Sequence, residues 1–232
     1  MEQLNCGFTL DIPKTAFPLS TDSMVLADFV RLPASARVLD LGSGCGTLGL
    51  LLCAKDPKCT VTGLELEESA HLAALENIRR NALEHRLISI CEDLRSVNRR
   101  FSPGSFHCCV SNPPYFSGGP AARLAVARRD DCCSVRELFQ AAAWALKYGG
   151  DFFLVHKPER LAQLCACGSE AGLEPKRLCL VRHRAESPIA LVLLQCRKGG
   201  KPGLTLEELS LHRADGTVTE DYQRIYHIQE AE

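Results

Sequence analysis

The glycine-rich turn Asp40-Leu41-Gly42-Ser43-Gly44-Cys45-Gly46 separates an apolar run, Arg37–Leu41, from a segment with helical character, Thr47–Ala54. Glycines let a backbone turn tightly and approach a ligand closely, and the helix that follows offers N–H groups without intrahelical partners. A dinucleotide could use a similar turn, although the spacing here is Gly-x-Gly-x-Gly and not Gly-x-Gly-x-x-Gly. The stretch therefore predicts a strand, a ligand-binding turn and a helix in succession.

The chain around this turn alternates predicted strands and helices. Two predicted strands, Arg177–His183 and Ile189–Cys196, are separated by a loop too short for a crossover helix, so they should pair antiparallel at an edge of the sheet. The whole pattern predicts an α/β, doubly wound, mostly parallel, seven-stranded Rossmann-like sheet with an antiparallel terminal hairpin. The other predicted strands are Cys59–Leu64, Leu87–Cys91, Phe106–Ser111 and Asp151–His156, and the other helices are Thr21–Leu32, Glu67–Ala82, Val135–Lys147 and Pro158–Ala171.

The composition is compatible with a globular domain and gives only a local signal for nucleic acid. With 232 residues and 46% hydrophobic residues, the chain can bury the core of one domain. Its net charge of −1 gives no global signal for nucleic acid, but residues 176–201 carry seven basic residues against one acidic residue, Glu186. This basic stripe is equally compatible with a solvated sheet edge and with RNA contact.

The 13 cysteines show no Cys-x-x-Cys spacing, and Cys165-x-Cys167 lacks a nearby histidine pair, so we expect reduced thiols and no metal site. No apolar stretch has the character of a signal peptide or is long enough to span a bilayer. We therefore expect a cytoplasmic protein that does not associate with a membrane.

Four polar residues follow the first four predicted strands of the sheet: Asp40, Glu65, Asp93 and Asn112. In an open α/β sheet the ligand lies beyond the carboxyl ends of the strands, so these residues are the candidates for binding and catalysis. An acid after the second strand, such as Glu65, would hold ribose hydroxyls in a dinucleotide site as well as in other nucleoside sites. Glu65 therefore does not distinguish the two kinds of ligand.

The motif Asn112-Pro113-Pro114-Tyr115 distinguishes between these two kinds of ligand site. The side-chain oxygen of Asn112 and the carbonyl of Pro113 are two acceptors that can hold both hydrogens of an –NH₂ group. They draw the nitrogen lone pair out of conjugation, so that the nitrogen can attack an electrophilic methyl group without a strong base. Proline lacks an N–H and fixes φ, which makes this clamp stiff, and Tyr115 can stack on a planar base or amide. The simpler interpretation is an ordinary Asn-Pro turn.

These motifs resemble those of a known family. VLDLGSGCGTLGLLL, GLELEESA and SNPPYFSGG are similar to motifs of class I S-adenosylmethionine-dependent methyltransferases with the amino-methylating NPPY signature. More narrowly, FPLSTDSMVLADFV, HKPERL, RHRAESPIALVLLQCRKGGKPGL and RADGTVTEDYQRIY resemble the bacterial tRNA1(Val) adenine-N6 methyltransferase family. The resemblance covers nearly the whole chain. It implies a methyltransferase sheet, S-adenosylmethionine as cofactor and tRNA as partner.

The resemblance also implies residue roles. Asn112, Pro113, Pro114 and Tyr115 would hold the target base. Ser20, Thr21 and Asp22 match a segment that closes over the methionine part of the donor, Glu65 matches the ribose acid, and Asp93 matches the contact to the donor adenine. The donor loop would comprise Asp40, Gly42, Ser43, Gly44, Cys45 and Gly46, with Asn112 also near the donor. We expect a single monomeric domain over 1–232, with an N-terminal segment and helix (1–33), a catalytic core (34–197) and a polar tail (198–232).

The predicted reaction is N6-methylation of an adenine in tRNA, next to the anticodon of tRNA1(Val). The same clamp would serve a protein glutamine-N5 methyltransferase, but those relatives carry a long helical domain before the donor loop. DNA adenine methyltransferases usually need a separate target-recognition region, and no span here is free to be one. A non-catalytic module that binds donor and RNA is a third alternative. The candidate RNA contacts are Arg182, Arg184 and Lys198, with a second path over Arg123, Arg128 and Arg129.

Overall fold

A computed structural model describes residues 2–12, 19–113 and 134–227. The predicted roles of Pro114, Tyr115, Arg123, Arg128 and Arg129 fall outside the described residues. The strands are β1 (Glu2–Gln3), β2 (Thr9–Leu10), β3 (Arg37–Leu41), β4 (Thr60–Glu65), β5 (Leu87–Cys91), β6 (Phe106–Ser111), β7 (Leu146–His156), β8 (Leu173–Arg184), β9 (Ile189–Lys198) and β10 (Thr205–His212). The α-helices are α1 (Thr21–Phe29), α2 (Thr47–Lys55), α3 (Glu68–Arg80), α4 (Val97–Arg100), α5 (Val135–Ala145), α6 (Leu161–Glu170) and α7 (Glu220–Ile225).

The main sheet has eight strands in the order β10-β8-β9-β7-β6-β3-β4-β5. Only β9 runs antiparallel to its neighbours; all other neighbouring pairs of this sheet are parallel. The predicted doubly wound sheet with one reversed strand is confirmed. The order of strands reverses between β3 and β6, which is where an open α/β sheet opens a crevice for a ligand. Asp40 and Asn112 therefore lie on the two sides of that crevice.

The sheet contains one strand more than the seven predicted. β10 pairs parallel with β8, so the β8–β9 hairpin is antiparallel as predicted but does not form the edge of the sheet. The sequence predicts a polar tail here because Thr205–His212 carries two adjacent glutamates, Glu207 and Glu208. Its buried side chains, Leu209 and Leu211, alternate with half-buried ones, and the segment becomes a strand by pairing with β8.

β7 begins five residues earlier than predicted, immediately after α5. Leu146 pairs with Phe106, but the next pair joins Asp151 to Cys108, so residues 147–150 bulge out of the ladder. Gly149 adopts a φ of 77°, a conformation that favours glycine. The bulge lies at the amino-terminal end of the sheet, away from the crevice.

Helices cover both faces of the sheet. Side chains alternate along β7, so that Phe153 packs with α1 and α2 while Phe152 packs with α5 and α6. Phe153 meets Phe29 of α1 edge-on with ring centres 6.1 Å apart, and Phe152 meets Phe139 of α5 at 5.2 Å. These two apolar layers hold the strands rigidly, and the strand ends can therefore present polar side chains in fixed positions.

Candidate active site

The glycine-rich turn after β3 is held by its neighbouring strand. The amides of Gly42 and Ser43 both donate to the carbonyl of Leu64, at 2.9 and 3.0 Å. Gly42 and Gly44 have φ angles of 76° and 55°, and a Cβ at either position would have no heavy atom within 4 Å. These glycines are thus required by backbone conformation, and they border open space in which a ligand can approach the turn.

Glu65 ends β4 and joins this turn to the next helix. Its Oε2 accepts a hydrogen bond from the amide of Gly44 at 2.7 Å, and its Oε1 accepts one from the amide of Glu67 at 2.8 Å. A carboxylate has about four acceptor positions, so both oxygens keep capacity for hydroxyl groups of a ligand. The structure therefore brings Glu65 to the glycine-rich turn at residues 40–46, which we call the donor turn, as the position of Glu65 at a strand end predicts.

Asp40 is fully buried at the end of β3, and neither carboxylate oxygen has a hydrogen-bond partner among the described residues. Burial, and then the charge of Glu65, raise the pKa of Asp40 to about 8. A buried carboxylate without partners is unfavourable. A positively charged or hydrogen-bonding ligand group would remove that penalty, so the turn fits a cationic, hydroxyl-bearing donor such as S-adenosylmethionine.

Asp93 follows β5, and its carboxylate forms hydrogen bonds with a residue of its own turn. It accepts hydrogen bonds from the backbone amide and the side chain of Arg95, both at 2.8 Å, and caps the short 3₁₀ helix Leu94–Ser96. Burial alone would raise the pKa of Asp93, but the bonds from Arg95 outweigh that effect and lower it. The neighbouring Glu92 amide donates to the carbonyl of Glu65, which places Asp93 on the same side of the turn as Glu65.

Asn112 is anchored to α1. Its amide Nδ2 donates to the hydroxyl of Ser23 at 2.9 Å, and the preceding Ser111 donates to the carbonyl of Leu41 at 2.7 Å. This hydrogen bond fixes the orientation of the Asn112 amide group relative to α1. Ser23 is a buried orienting residue that no sequence pattern indicates, because 89 positions separate it from Asn112.

Thr21 and Asp22 lie in the first turn of α1, in the segment expected to close over the donor. The C-terminal part of the chain reaches them: the hydroxyl of Tyr226 donates to the hydroxyl of Thr21 at 3.2 Å. The carbonyl of Tyr226 accepts a bond from Asn5 at 2.8 Å. Tyr226 thus joins both ends of the chain to α1, a role that its sequence motif alone does not reveal.

Asn77 of α3 and Asn81, the residue that caps the C-terminus of α3, hold the N-terminal segment beside the turn. The amide group of Asn81 bonds to both the N–H and the carbonyl of Thr9, at 2.8 and 2.7 Å, and that of Asn77 does the same for Asp11, at 2.8 and 2.9 Å. Asn77 also donates to the carbonyl of Cys45 at 3.0 Å. Because residues four apart share a helix face, one face of α3 orders both the N-terminal segment and the donor turn.

His156 ends β7 at the same edge of the sheet. It is buried, and its Nδ1 accepts a hydrogen bond from the amide of Lys157 at 2.8 Å. Burial, followed by the charge of Arg160, lowers the pKa of His156 to about 4. The ring is therefore neutral near pH 7 and adds no positive charge beside the crevice.

The basic stripe is divided between the two ends of the sheet. Arg182 and Arg184 lie at the carboxyl end of β8, on the side of the crevice, whereas Lys198 lies at the opposite end because β9 is reversed. The nine steps from Ile189 to Lys198 correspond to about 30 Å. Lys198 donates to the carbonyls of Ala143 and Leu146, at 2.6 and 2.7 Å, and so caps the C-terminal end of α5. The structure does not bring the three predicted RNA contacts together.

Comparison with known proteins shows the family and the fold to which the chain is similar. The profile of the methyltransferase small domain family matches residues 19–163. A tRNA1(Val) (adenine(37)-N6)-methyltransferase of Bacteroides fragilis is 30% identical over 89% of each chain, and one of Tolumonas auensis is 31% identical over 93% of this chain and 90% of the relative. A solved structure, a predicted O-methyltransferase from Agrobacterium tumefaciens, superposes with a TM-score of 0.75 at 20% identity, over 89% of this chain and 96% of that one.

Fold, site and relatives together define an enzyme of the S-adenosylmethionine-dependent methyltransferase class. The chain belongs to the methyltransferase small domain family, and its resemblance to the tRNA1(Val) adenine-N6 methyltransferases is confirmed. In 2–12, 19–113 and 134–227 no helix is long and apolar enough to cross a membrane. The same part of the chain contains no group of three or more His, Cys, Asp or Glu side chains that could hold a metal ion.

Proposed function

We propose that this enzyme methylates N6 of an adenine in tRNA, at the nucleotide next to the anticodon of tRNA1(Val). The observation that carries the proposal is Asn112, which is held by Ser23 at the carboxyl end of β6, across the crevice from the donor turn. The tRNA activity named for the relatives from Bacteroides fragilis and Tolumonas auensis supports a tRNA substrate, and the alignments extend over about nine-tenths of both chains.

The chemistry assigned to Asn112 follows from its anchoring. Nδ2 donates to Ser23, and in the proposed reaction Oδ1 would accept one hydrogen of the adenine amino group. The carbonyl of Pro113 would accept the other, and proline keeps this backbone stiff. Holding both hydrogens would localise the lone pair on N6. The amine would then attack the donor methyl group, the electrons of the methyl–sulfur bond would stay on sulfur to give the thioether product, and the N6 proton would pass to solvent, so no strong general base is required.

S-adenosylmethionine supplies the electrophilic methyl group. The residues that would hold it are those of the donor turn, with Asp40 and Glu65 as acceptors for its ammonium and hydroxyl groups. Thr21 and Asp22 of α1, and Asp93 after β5, would border the same donor. Each of these positions lies at the carboxyl end of a strand or in the first turn of α1.

The proposal is tested by methyl transfer from labelled S-adenosylmethionine into total tRNA, protein and DNA, followed by mass-spectrometric mapping of the product. We expect label in tRNA as N6-methyladenosine beside the anticodon. Label in protein at glutamine, or in DNA, would overturn the proposal in favour of another amino-methylating reaction. A cytoplasmic location and a monomeric state remain predictions, which fractionation and light scattering would test.

The Asn112→Ala variant tests the clamp itself. Removing a polar group whose hydrogen bond strengthens in the transition state typically lowers kcat about 10²–10³-fold. We expect that loss with unchanged donor affinity and a somewhat lower thermal transition, because the buried Ser23 hydroxyl loses the hydrogen bond from Asn112. Near-normal turnover would show that the asparagine serves only as a turn, and Asn98→Ala, an exposed asparagine on α4, is the matched control.

A further inference from the structure

A second cleft, of about 550 Å³, opens at the amino-terminal end of the sheet, opposite the active site. It lies between the segment after α1, the bulge of β7 and the ends of β8 and β9. Among its described lining residues only Asp151 is acidic, whereas the basic ones are Arg31, Lys147, Lys176, Arg177 and Arg197. Four of these five lie on the bulge or the β8–β9 hairpin, so the cleft collects three of the seven basic residues of the stripe, Lys176, Arg177 and Arg197.

Two of the arginines are neutralised and form rigid walls. Arg177 makes a two-pronged ion pair with Glu207 at 2.9 and 3.0 Å, and its guanidinium lies 4.2 Å from the ring centre of Phe29. Arg197 makes the same kind of pair with Asp151 at 2.9 and 3.0 Å. Such planar, doubly bonded pairs hold fixed positions, and the cleft is therefore preformed.

The two lysines leave a surplus of positive charge. Neither Lys147 nor Lys176 forms an ion pair with any described residue, and Lys176 donates only to the carbonyl of Lys201, at 2.9 Å, in that part of the chain. Arg31 is 3.7 Å from Glu207, which Arg177 already engages at closer distance. One donor of Lys176 is used by the carbonyl of Lys201, and the other donors of the two ammonium groups can serve an anion in the cleft.

The charge of the cleft indicates the class of ligand that would fit it. Lys147 and Lys176 line a preformed cleft in which the arginines are already paired. Ammonium groups without a carboxylate partner match the charge and the acceptor oxygens of a phosphate group. We propose that this cleft binds a phosphate-bearing ligand, with the phosphate between Lys147 and Lys176.

His107 gives the cleft a spectroscopic probe. Its Nδ1 accepts a hydrogen bond from the amide of Arg37 at 3.0 Å. Burial, and then the charges of Lys147 and Arg37, lower the pKa of His107. A phosphate bound beside Lys147 would cancel part of that positive field, and the pKa of His107 should rise.

The experiment titrates the full chain with tripolyphosphate, measured by calorimetry and by NMR of the His107 ring. We expect saturable binding that weakens about tenfold or more in Lys147→Gln/Lys176→Gln, because glutamine cannot form charge-assisted hydrogen bonds to phosphate. The control Lys58→Gln/Arg99→Gln removes the same charge from exposed positions elsewhere and should bind like the wild type. No saturable binding, or equal weakening in both variants, would overturn the proposal.

A second arm separates the two sources of phosphate. Displacement of tripolyphosphate by tRNA, with the His107 shift retained because an RNA phosphate then lies beside Lys147, would identify an RNA backbone as the ligand, and persistence of tripolyphosphate binding would identify a free oligophosphate. Both measurements are independent of methyl transfer. The phosphate site can therefore be refuted while the proposed tRNA methylation is confirmed. The methylation can likewise be refuted while the phosphate site is confirmed.

Discussion

Asp40 is the residue whose environment is least favourable in the free protein. A buried carboxyl group with unbonded oxygens normally lowers stability, and its pKa of about 8 means that it holds a proton at neutral pH. Perturbed acids of this kind are concentrated at functional sites. Binding of a cationic donor would ionise the group and give it partners, so part of the donor affinity should come from Asp40.

The Asp40→Asn variant tests this by its pH dependence. Between the ordinary aspartate pKa of 3.8 and about 8, the folded chain holds a proton on Asp40 that the unfolded chain has released. The free energy of unfolding should therefore fall as pH rises through that window, by at most about 1.4 kcal/mol per pH unit. Asparagine does not ionise, so urea denaturation should show that the free energy of unfolding of the variant increases relative to that of the wild type as pH rises. Parallel pH profiles for the two proteins would contradict the assignment.

At the scale of elements, the active site depends on three segments that contribute no strand to the main sheet. The N-terminal segment is ordered by α3 through Asn77 and Asn81, and α1 holds Asn112 through Ser23. The C-terminal helix α7 is followed by Tyr226, which is bonded to Thr21. These segments surround the donor turn from the side that the strands leave open, and their order should therefore respond to the donor.

The Tyr226→Phe variant removes only the hydroxyl that reaches Thr21. A net hydrogen bond of this type contributes about 0.5–1.5 kcal/mol to stability, so we expect the free energy of unfolding to fall by about that amount and donor affinity to fall as well, because Thr21 loses the contact that positions it. Calorimetric titration with S-adenosylhomocysteine measures it. Tyr148→Phe removes a comparable hydroxyl bond at the opposite end of the sheet and serves as the control. An equal response of both variants would mean that Tyr226 does not position α1 for the donor.

At the scale of the whole molecule, reversal of β9 separates charges that are close in sequence. Arg182 and Arg184 lie on the side of the active site, whereas Lys198 bonds to two carbonyls at the end of α5 on the far side. A continuous basic stripe in sequence thus becomes a candidate RNA contact, a helix cap and part of a separate cleft. The roles of these residues should be separable by measurement.

We expect Arg182→Gln/Arg184→Gln to weaken tRNA binding and to lower its salt slope by roughly 0.7–0.9 for each phosphate that is no longer neutralised. Lys198→Met should leave that slope unchanged but lower the free energy of unfolding by about 1–3 kcal/mol, since two carbonyls at the end of α5 would be left without their donor. Filter binding over a range of salt and urea denaturation measure the two effects. A salt slope that changes only with Lys198 would place the RNA path on the far side.

Much of the site follows from patterns within a few residues. Apolar runs, glycine spacing and the prolines after Asn112 depend on local backbone preferences, so the sequence predicts the parallel strands, the donor turn and the strand-end positions of Asp40, Glu65 and Asn112. The parallel sheet then places those three residues at one edge, because carboxyl ends of parallel strands coincide. Family motifs add the reaction and the cofactor.

Only the tertiary structure decides which distant residues hold that site in place. Ser23 orients Asn112 across 89 positions, Tyr226 reaches Thr21 across 205, and Asn81 binds Thr9 across 72. No local preference encodes such pairs, because each depends on how whole elements pack. The same holds for β10, which becomes a strand by pairing with β8, and for Lys198, whose role is set by the direction of β9. Local chemistry thus determined the reacting groups, and long-range packing determined their supports.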